Sequence, residues 1–592
     1  MSAKAPRISL GNVLLLLPAA ISFSVAWGSD FLWLEALLFA VVLAVGGVLG
    51  KRFGWNSKPP GILHLPRQWS RRPLFVCAIP ALSSIALRMA LLPWVPIPHP
   101  VVPDEYSHMF LAKTFLLGRL ANPAHPLWEH FETLHILSQP TFSSMYMAGQ
   151  ACFLALGKVL FGDLFWGVVI STALFCAALT WFLRAFVPPG WALFGGLLAA
   201  VRIGGASYWN NSYWGGSAGA LGGALLFGAY ARLRRRRSVG NALVFGLALV
   251  LLANTRPYEG AVLGAALCAR LAYDVLRPRE VEWSRAVACV AAIVAVLGCA
   301  AWGMTRHWQA VTGKPLAMPY MVNQQTYGWP MTLPWVKIPH VQYRHPEFVL
   351  YREYELGEHK MITVPTQIPF GVLVKYAFSW RFYFGFVLTV AFLFTSRILR
   401  NPRMRPVWVA SGITLLAVAM EQSGYPHYLS PVAPAIFLFI VQGLRYVAQI
   451  RGASSGPVIV RAVLPLAFVL LVTRAGALSP ASQPSDAMNF FSWCCTDARR
   501  NDRQPVIDRL NAMPGEHLVF VKYDVKVYST LEWVYNEPDI DRAKIVWARD
   551  MGEEKNADLL RYYPKRSVWR VVLHGDGGDP RKLDSISTSG QP

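Results

Sequence analysis

Gly149-Gln150-Ala151-Cys152-Phe153-Leu154-Ala155-Leu156-Gly157-Lys158-Val159-Leu160 is the stretch on which the topology turns. It is apolar, but far shorter than the roughly 20 residues that cross a bilayer as a helix. About 13 other apolar runs are long enough to span, or nearly so: Leu10–Trp27, Phe31–Gly50, Pro73–Leu92, Leu164–Leu183, Trp191–Ala206, Gly215–Ala231, Asn241–Asn254, Gly260–Leu276, Ala286–Met304, Pro369–Phe394, Val407–Met420, Leu429–Leu444 and Ala462–Ala477. With the N-terminus in the cytoplasm and strict alternation, the inner loops collect Lys51, Arg52, Arg67, Arg71, Arg72, Arg184 and Arg234–Arg237. They also collect Arg277, Arg279, Arg397, Arg400, Arg403, Arg405, Arg445 and Arg451. That is the positive-inside pattern. Counting 149–160 as a span throws the Arg234–Arg237 run outside, so this stretch reads as an interfacial or re-entrant helix.

Composition agrees with a membrane protein. Hydrophobic residues make up 54% of the 592 and charged residues only 15%, against about a quarter charged in soluble domains. The 22 tryptophans suit two membrane interfaces. A formal charge of +23 in a soluble chain would point to nucleic acid. Here the basic residues lie in short clusters between apolar runs, so the charge reads as topology and no nucleic-acid partner is expected. No cleavable signal peptide is expected at the start of the chain. Six cysteines, Cys77, Cys152, Cys176, Cys268, Cys289 and Cys299, lie in or beside apolar runs as packing residues, and Cys494 and Cys495 fall in a polar region.

The expected organisation is an N-terminal transmembrane hairpin with a basic inner loop (1–72), a transmembrane catalytic domain (73–479) and an outer-face α/β domain (480–592). The outer face receives residues 97–146, Ser207–Trp214, Thr255–Glu259, 305–368 and Glu421–Tyr428. In the C-terminal domain Asp502–Met513 reads as a helix. His517–Tyr523, Ala543–Trp547 and Val568–Leu573 read as strands, with a helix near Asn556–Tyr562. A packing or lid role is expected of this domain. The localisation expected is multi-pass in the cell (inner) membrane, with the C-terminal domain outside.

The outer segments carry the chemistry-bearing residues. Pro103-Asp104-Glu105-Tyr106-Ser107-His108 opens a helical pattern in which Asp104 and His108, four apart, share a face. A carboxylate beside apolar surface is desolvated, which raises its pKa and makes it a better proton acceptor; Pro-Asp at a helix start is also a common cap. His125, Glu129, His130, Glu132 and His135 fit no standard metal spacing and read as polar loop residues. No metal and no cofactor are expected. In Ser207–Trp214, the aromatics Tyr208, Trp209 and Trp214 with Asn210 and Asn211 suit either membrane-edge anchoring or a platform for a sugar.

Arg256 closes one span and Glu259 opens the next. An arginine near membrane depth is costly and functional by default. It reads as a phosphate clamp, or as the ion-pair partner of Glu259. His427, followed by Tyr428, can neutralise a phosphate or carry a proton, or simply occupy a polar turn. Tyr320–Trp329, with Asn323, Gln324 and Gln325, is a further amide-and-aromatic cluster.

The Asp104-Glu105 pair soon after an early span, the helix ending Gly118-Arg119-Leu120 and the Pro-rich loop leading to Tyr146-Met147-Ala148-Gly149 resemble the first outer loop of GT-C fold glycosyltransferases. Pro426-His427-Tyr428-Leu429-Ser430-Pro431 with Pro434 is similar to a late element of the protein O-mannosyltransferases and the lipid A aminoarabinose transferases. The resemblance covers residues 73–445 by layout and is specific in the two short patches. It implies a mainly α, GT-C-like bundle that takes a sugar from a polyprenyl-phosphate donor on the outer face, with Asp104 as base, Glu105 as its neighbour and His427 on the donor phosphate. Arg256 and Tyr428 join His427 in the expected phosphate site. His108, Tyr208, Trp209, Asn210, Asn211, Trp214, Glu259 and Gln324 are the expected substrate contacts. Two departures stand: relatives often place another acid in the loop that here reads Ser207–Trp214, and two spans precede the first-loop span.

A phosphate leaves with its charge already delocalised, so one base and nearby positive groups suffice, with inversion at the anomeric carbon. The acceptor, a lipid, glycan or protein, is not legible; membrane lipids surround the enzyme in any case. A transporter or flippase of a lipid-linked or polar solute is the competing reading. It calls for broken helices, midplane charges and often internal repeats, whereas the polar groups here fall at the outer edge and no repeat of the spans is visible.

Overall fold

A computed structural model describes residues 32–52, 67–276, 282–329, 333–450, 455–477, 493, 503–523, 532–573 and 583–585. The expected span Leu10–Trp27, the residues Arg277, Arg279 and Arg451, and Cys494 and Cys495 lie outside the described residues. The chain is a mainly helical, multi-pass membrane protein with a small sheet domain at its C-terminal end. The membrane part begins with α1 (Leu32–Arg52) and α2 (Pro73–Leu91). The segment that the charge pattern assigns to the first outer loop holds α3 (Pro103–Leu116), three short strands, β1 (Asn122–Pro123), β2 (Ile136–Leu137) and β3 (Thr141–Ser144), and α4 (Ala148–Phe161). Then come α5 (Phe165–Leu183), α6 (Pro189–Arg202), α7 (Gly216–Leu233), α8 (Val239–Ala253), α9 (Pro257–Leu276) and α10 (Trp283–Thr312). The long outer loop folds into α11 (Pro319–Tyr327) and α12 (Glu347–Thr363). After it follow α13 (Ile368–Tyr383), α14 (Arg405–Ala419), a 3-10 turn at Pro426–Val432, α15 (Ala433–Val447) and α16 (Ser455–Ala477).

Helix length leaves the expected count of about 13 spans open. Among the described residues five segments are long and apolar enough to cross a membrane: Pro73–Leu91, Phe165–Leu183, Trp283–Thr312, Pro426–Val447 and Gly456–Gly476. A sixth crossing is available if Ile368–Tyr383 and Gly385–Leu399, bent by 100°, act together. Helices such as α8 and α14 are apolar but only 15 residues each, so length alone does not carry about 13 spans among the described residues. The topology-deciding stretch folds as α4, a separate helix of 14 residues that is also below spanning length.

Close backbone approach gathers the outer loops. Along α7 small residues let neighbours approach the helix axis, the packing that bundles in a membrane use in place of hydrophobic burial. A Cβ at Gly223 would lie 2.0 Å from the Pro431 carbonyl oxygen, so only glycine admits the Pro426–Val432 turn there. One turn earlier, a Cβ at Gly219 would meet Ser430 Oγ at 2.4 Å and Arg256 Cγ at 3.2 Å. The Gly149 N–H donates to the Asn254 carbonyl at 2.8 Å. The first outer loop, the Asn254–Arg256 turn and the Pro426–Val432 turn are thereby fixed against one another.

The C-terminal domain follows the sequence pattern closely. It contains α17 (Arg503–Ala512), β4 (His517–Tyr523), β5 (Ile545–Arg549), α18 (Glu553–Tyr562), β6 (Ser567–Leu573) and β7 (Asp584–Ser585). The sheet order is β5-β4-β6-β7, with β4 parallel to β5 and β6, and β7 antiparallel to β6. Alternate residues of a strand face opposite sides. Val519 and Val521 of β4 pack under α17 with Val506 and Leu510. Leu518 and Phe520 face the other way and join Phe110, Phe131, Ile136 and Phe142 of the first outer loop. The domain is therefore docked on that loop, and Tyr106 stacks on Tyr535 with ring centres 4.1 Å apart.

Candidate active site

Asp104 occupies the second residue of α3. It is not the cap: Val102 holds that position, and Glu105 supplies the capping carboxylate. Glu105 Oε2 accepts the Val101 and Val102 N–H groups at 2.9 and 3.2 Å, and Oε1 accepts the Tyr213 N–H at 2.8 Å. Its carboxylate is thus taken on both oxygens by backbone amides, and burial pushes its pKa up to about 7. Glu105 builds the helix start and ties it to the Ser207–Trp214 loop.

The Asp104 carboxylate remains 22% exposed. Tyr146 donates its hydroxyl to Oδ1, and His135 Nδ1 lies 3.7 Å from Oδ2. A hydrogen-bonded chain continues beyond. Tyr146 Oη is 3.2 Å from His135 Nδ1, and His135 Nε2 is 2.8 Å from Tyr351 Oη. Tyr351 in turn bonds Glu355, one turn along α12. His135 adopts φ 62°, the left-handed region that non-glycine residues seldom enter. Its carbonyl is pinned there by the Ser107 hydroxyl at 2.7 Å and the Met145 N–H at 3.2 Å. His108, on the Asp104 face as expected, stacks on Tyr146 at 4.4 Å. Burial lowers its pKa to about 4 and also depresses His135, so both rings are neutral near pH 7.

Burial likewise holds Glu355 protonated up to about pH 8. From the ordinary carboxyl range up to that point the folded state keeps a proton that the unfolded chain releases, so stability falls as pH rises through the window. Glu355→Gln removes this titration. Thermal unfolding in detergent at stepped pH is expected to show a shallower fall in the variant than in the parent between about pH 5 and about pH 8.

The cationic side of the site is Arg256. Its guanidinium sits 4.7 Å over the Tyr428 ring and 4.0 Å from Glu259 Oε1, too far for a hydrogen bond. Among the described residues that guanidinium donates no hydrogen bond, and the side chain stays 14% exposed. The Glu259 ion pair therefore positions it without using up its donors. His427 accepts or donates at Nδ1 to the Tyr208 hydroxyl at 3.0 Å, while its own N–H donates to that oxygen at 2.9 Å. Its ring stacks between Tyr425 and Tyr428. Lys375, which the sequence reading missed, donates to the Ala419 carbonyl at 3.4 Å and to the Glu421 carbonyl.

The acid and the cations lie within electrostatic reach of common neighbours. Asp104 and Arg256 both act on His108, while Arg256 and His108 both act on His427. Tyr320 feels Asp104, Glu355, Glu421 and Glu259 together. Other expected substrate contacts turn inward. Tyr208, Trp209, Asn210 and Asn211 are buried to 1% exposure or less, so they present no open face for a sugar. Asn211 Oδ1 accepts from Arg88 at 2.8 Å, Asn210 donates to the Gly204 carbonyl at 2.6 Å, and Trp209 packs on Phe382. Trp214 lies against His427 with ring centres 4.7 Å apart. Gln324 donates to the Trp329 carbonyl at 3.0 Å within a separate aromatic cluster.

The histidines and acids of the first loop are divided among other partners: His125 with Asp541, His130 with the Arg549 carbonyl, Glu132 with Arg344 and His345. Among the described residues no group of three His, Cys, Asp or Glu side chains can hold a metal ion.

No protein-family model and no curated protein sequence matches the chain. In structure it is similar to an oligosaccharyltransferase of Archaeoglobus fulgidus crystallised with zinc and sulfate, at 10% identity and a TM-score of 0.47, covering 84% of this chain and 68% of that one. It is also similar to ArnT of Cupriavidus metallidurans bound to undecaprenyl phosphate, at 13% identity and 0.44, covering 83% and 92%. A third is AglB of Archaeoglobus fulgidus with an inhibitory peptide and a dolichol-phosphate, at 12% identity and 0.40, covering 84% and 69%. These neighbours are GT-C fold glycosyltransferases. The TM-scores lie below 0.5, so the functional reading rests on the geometry of this chain's own site.

Proposed function

We propose that this chain is a glycosyltransferase that moves a sugar from a polyprenyl-phosphate donor to a lipid, glycan or protein acceptor on the outer face, with inversion. The observation that carries the reading is the pairing, in one polar site, of a partly exposed carboxylate held by Tyr146 with a guanidinium whose donors are open. Asp104 takes the proton of an acceptor hydroxyl as that oxygen bonds the anomeric carbon. The bond from that carbon to the phosphate oxygen breaks, and the polyprenyl phosphate leaves with the electron pair. Arg256 suits the departing phosphate because a guanidinium matches its geometry and is already aimed by Tyr428 and Glu259. His427 and Tyr428 line the same end. Tyr146 and His135 hold the Asp104 carboxylate in one orientation, so little reorganisation is needed at the moment of transfer.

Purified protein in liposomes, given a labelled polyprenyl-phosphate sugar and an extract of membrane lipids and envelope glycans, is expected to release polyprenyl phosphate and form a glycosylated product of opposite anomeric configuration. Retained configuration, or transfer only from a nucleotide sugar, would sink the reading.

A further inference from the structure

At the opposite ends of the helices that carry the site lies a second polar feature. Helices α7 and α15 both start at the site and run away from it for 18 and 15 residues, roughly 20–27 Å at 1.5 Å per residue. Where they end, two adjoining cavities open, of about 360 and 480 Å³, with Phe186 and Arg403 as shared walls. This is the end that the charge pattern of the sequence assigns to the inside.

The larger cavity is walled by Arg184, Arg403 and Arg445, with Asn401 and Gln442 between them, and no acid lines it. The smaller adds Arg234 and Arg235. Two of the arginines are held by neutral groups. Arg445 donates to Gln442 Oε1 at 3.0 Å, and Arg235 donates to the Ala185 carbonyl. Arg397, just outside, stacks 4.2 Å over Tyr446. Arg234 differs, since Asp274 lies 3.4 Å from its Nε, whereas no acid lines the larger cavity beside Arg403 and Arg445.

Positive-inside residues that serve only topology need no concave wall. Here guanidinium groups from the α5–α6 turn, the turn before α14 and the end of α15 converge on one recess of head-group size. Planar guanidinium donors match phosphate oxygens better than a point charge does. Basic recesses between transmembrane helices on this side are the kind of place where anionic lipid head groups dock. Exposed Leu399, four residues before Arg403, and exposed Val409 provide apolar surface near the recess for acyl chains.

We propose that this recess holds the phosphate of an anionic phospholipid head group from the inner leaflet, with Arg403 and Arg445 as its ligands. The site is independent of the outer-face chemistry and leaves the sugar-transfer reading untouched.

The full chain in detergent is titrated with short-chain phosphatidylglycerol, with phosphatidylcholine and with inorganic phosphate, reading thermal shift and bound lipid by native mass spectrometry. Saturable binding of phosphatidylglycerol, weakened at least tenfold by Arg403→Gln and by Arg445→Gln, is the expected result. Arg403 is an exposed turn residue, so its variant is expected to fold with an unchanged unfolding temperature in the absence of lipid. The control Arg236→Gln removes the same charge elsewhere and is expected to bind as the parent does. Equal loss in that control overturns the site in favour of general basicity. Competition by inorganic phosphate at equal affinity overturns the lipid in favour of a soluble ligand. Equal binding of phosphatidylcholine overturns the role of the anionic charge.

Discussion

Replacing Asp104 by asparagine is expected to lower the rate of sugar transfer by about 10²–10⁴-fold, the usual contribution of a positioned general base. The substitution keeps the shape of the side chain and keeps an oxygen to accept the Tyr146 hydroxyl. It removes the charge and the ability to take a proton. The binding of a donor lipid phosphate at Arg256 should change little, so the loss should appear in kcat and leave KM for the donor near the parent value. The unfolding temperature in detergent should stay close to the parent's, because Asp104 is partly exposed and bears no packing load. A variant that transfers at the parent rate removes Asp104 from the reaction and shifts attention to Glu355, the other acid on the chain of hydrogen bonds.

The largest stability effect is expected at Arg549. Its side chain is 2% exposed and joins three parts of the outer assembly. Nη2 pairs with Glu532 at 2.5 Å, Nη1 pairs with Glu347 at the start of α12, and Nε donates to the Glu132 carbonyl at 2.7 Å. The guanidinium also covers the Phe348 ring at 4.7 Å. Removing one partner of a buried ion pair costs about 3–5 kcal/mol, because the remaining charge is stranded without water. Arg549→Ala strands Glu532, whose side chain is 4% exposed. The expected outcome is a lowered unfolding temperature and early proteolysis of the C-terminal domain. The helical bundle should persist, since its core cluster contains no residue of that sheet. Unchanged protease resistance would show that apolar docking through Phe110, Phe142 and Phe520 suffices by itself.

The sheet domain was legible because its signal is local. His517–Tyr523 matches β4 residue for residue, and the helix expected near Asn556–Tyr562 is α18 with one more turn at its start. Asp104 and His108 share a face as their spacing of four predicts. The adjacent Asp104 and Glu105 take different partners. Successive residues on a helix point about 100° apart, so Glu105 meets the backbone amides of the Ser207–Trp214 loop while Asp104 meets Tyr146 and His135. The aromatic and amide cluster Ser207–Trp214 could not be read locally at all. Whether Asn211 faces solvent or core depends on Arg88, 123 residues away. Tyr351 and Glu355 were missed although their spacing of four was visible, because nothing in the long outer loop says which helix face meets the first loop. The left-handed His135 has no sequence signal, since its strain is imposed by Ser107 and Met145.

The central claim is that Asp104 and Arg256 serve one lipid-phosphate sugar, and a structure of the chain with a bound polyprenyl-phosphate sugar analogue tests it most directly. The account predicts the phosphate within hydrogen-bond distance of the Arg256 guanidinium, beside His427 and Tyr428, with the anomeric carbon turned toward Asp104 and room between them for one acceptor oxygen. A phosphate bound away from Arg256, or an anomeric carbon facing away from Asp104, would contradict it.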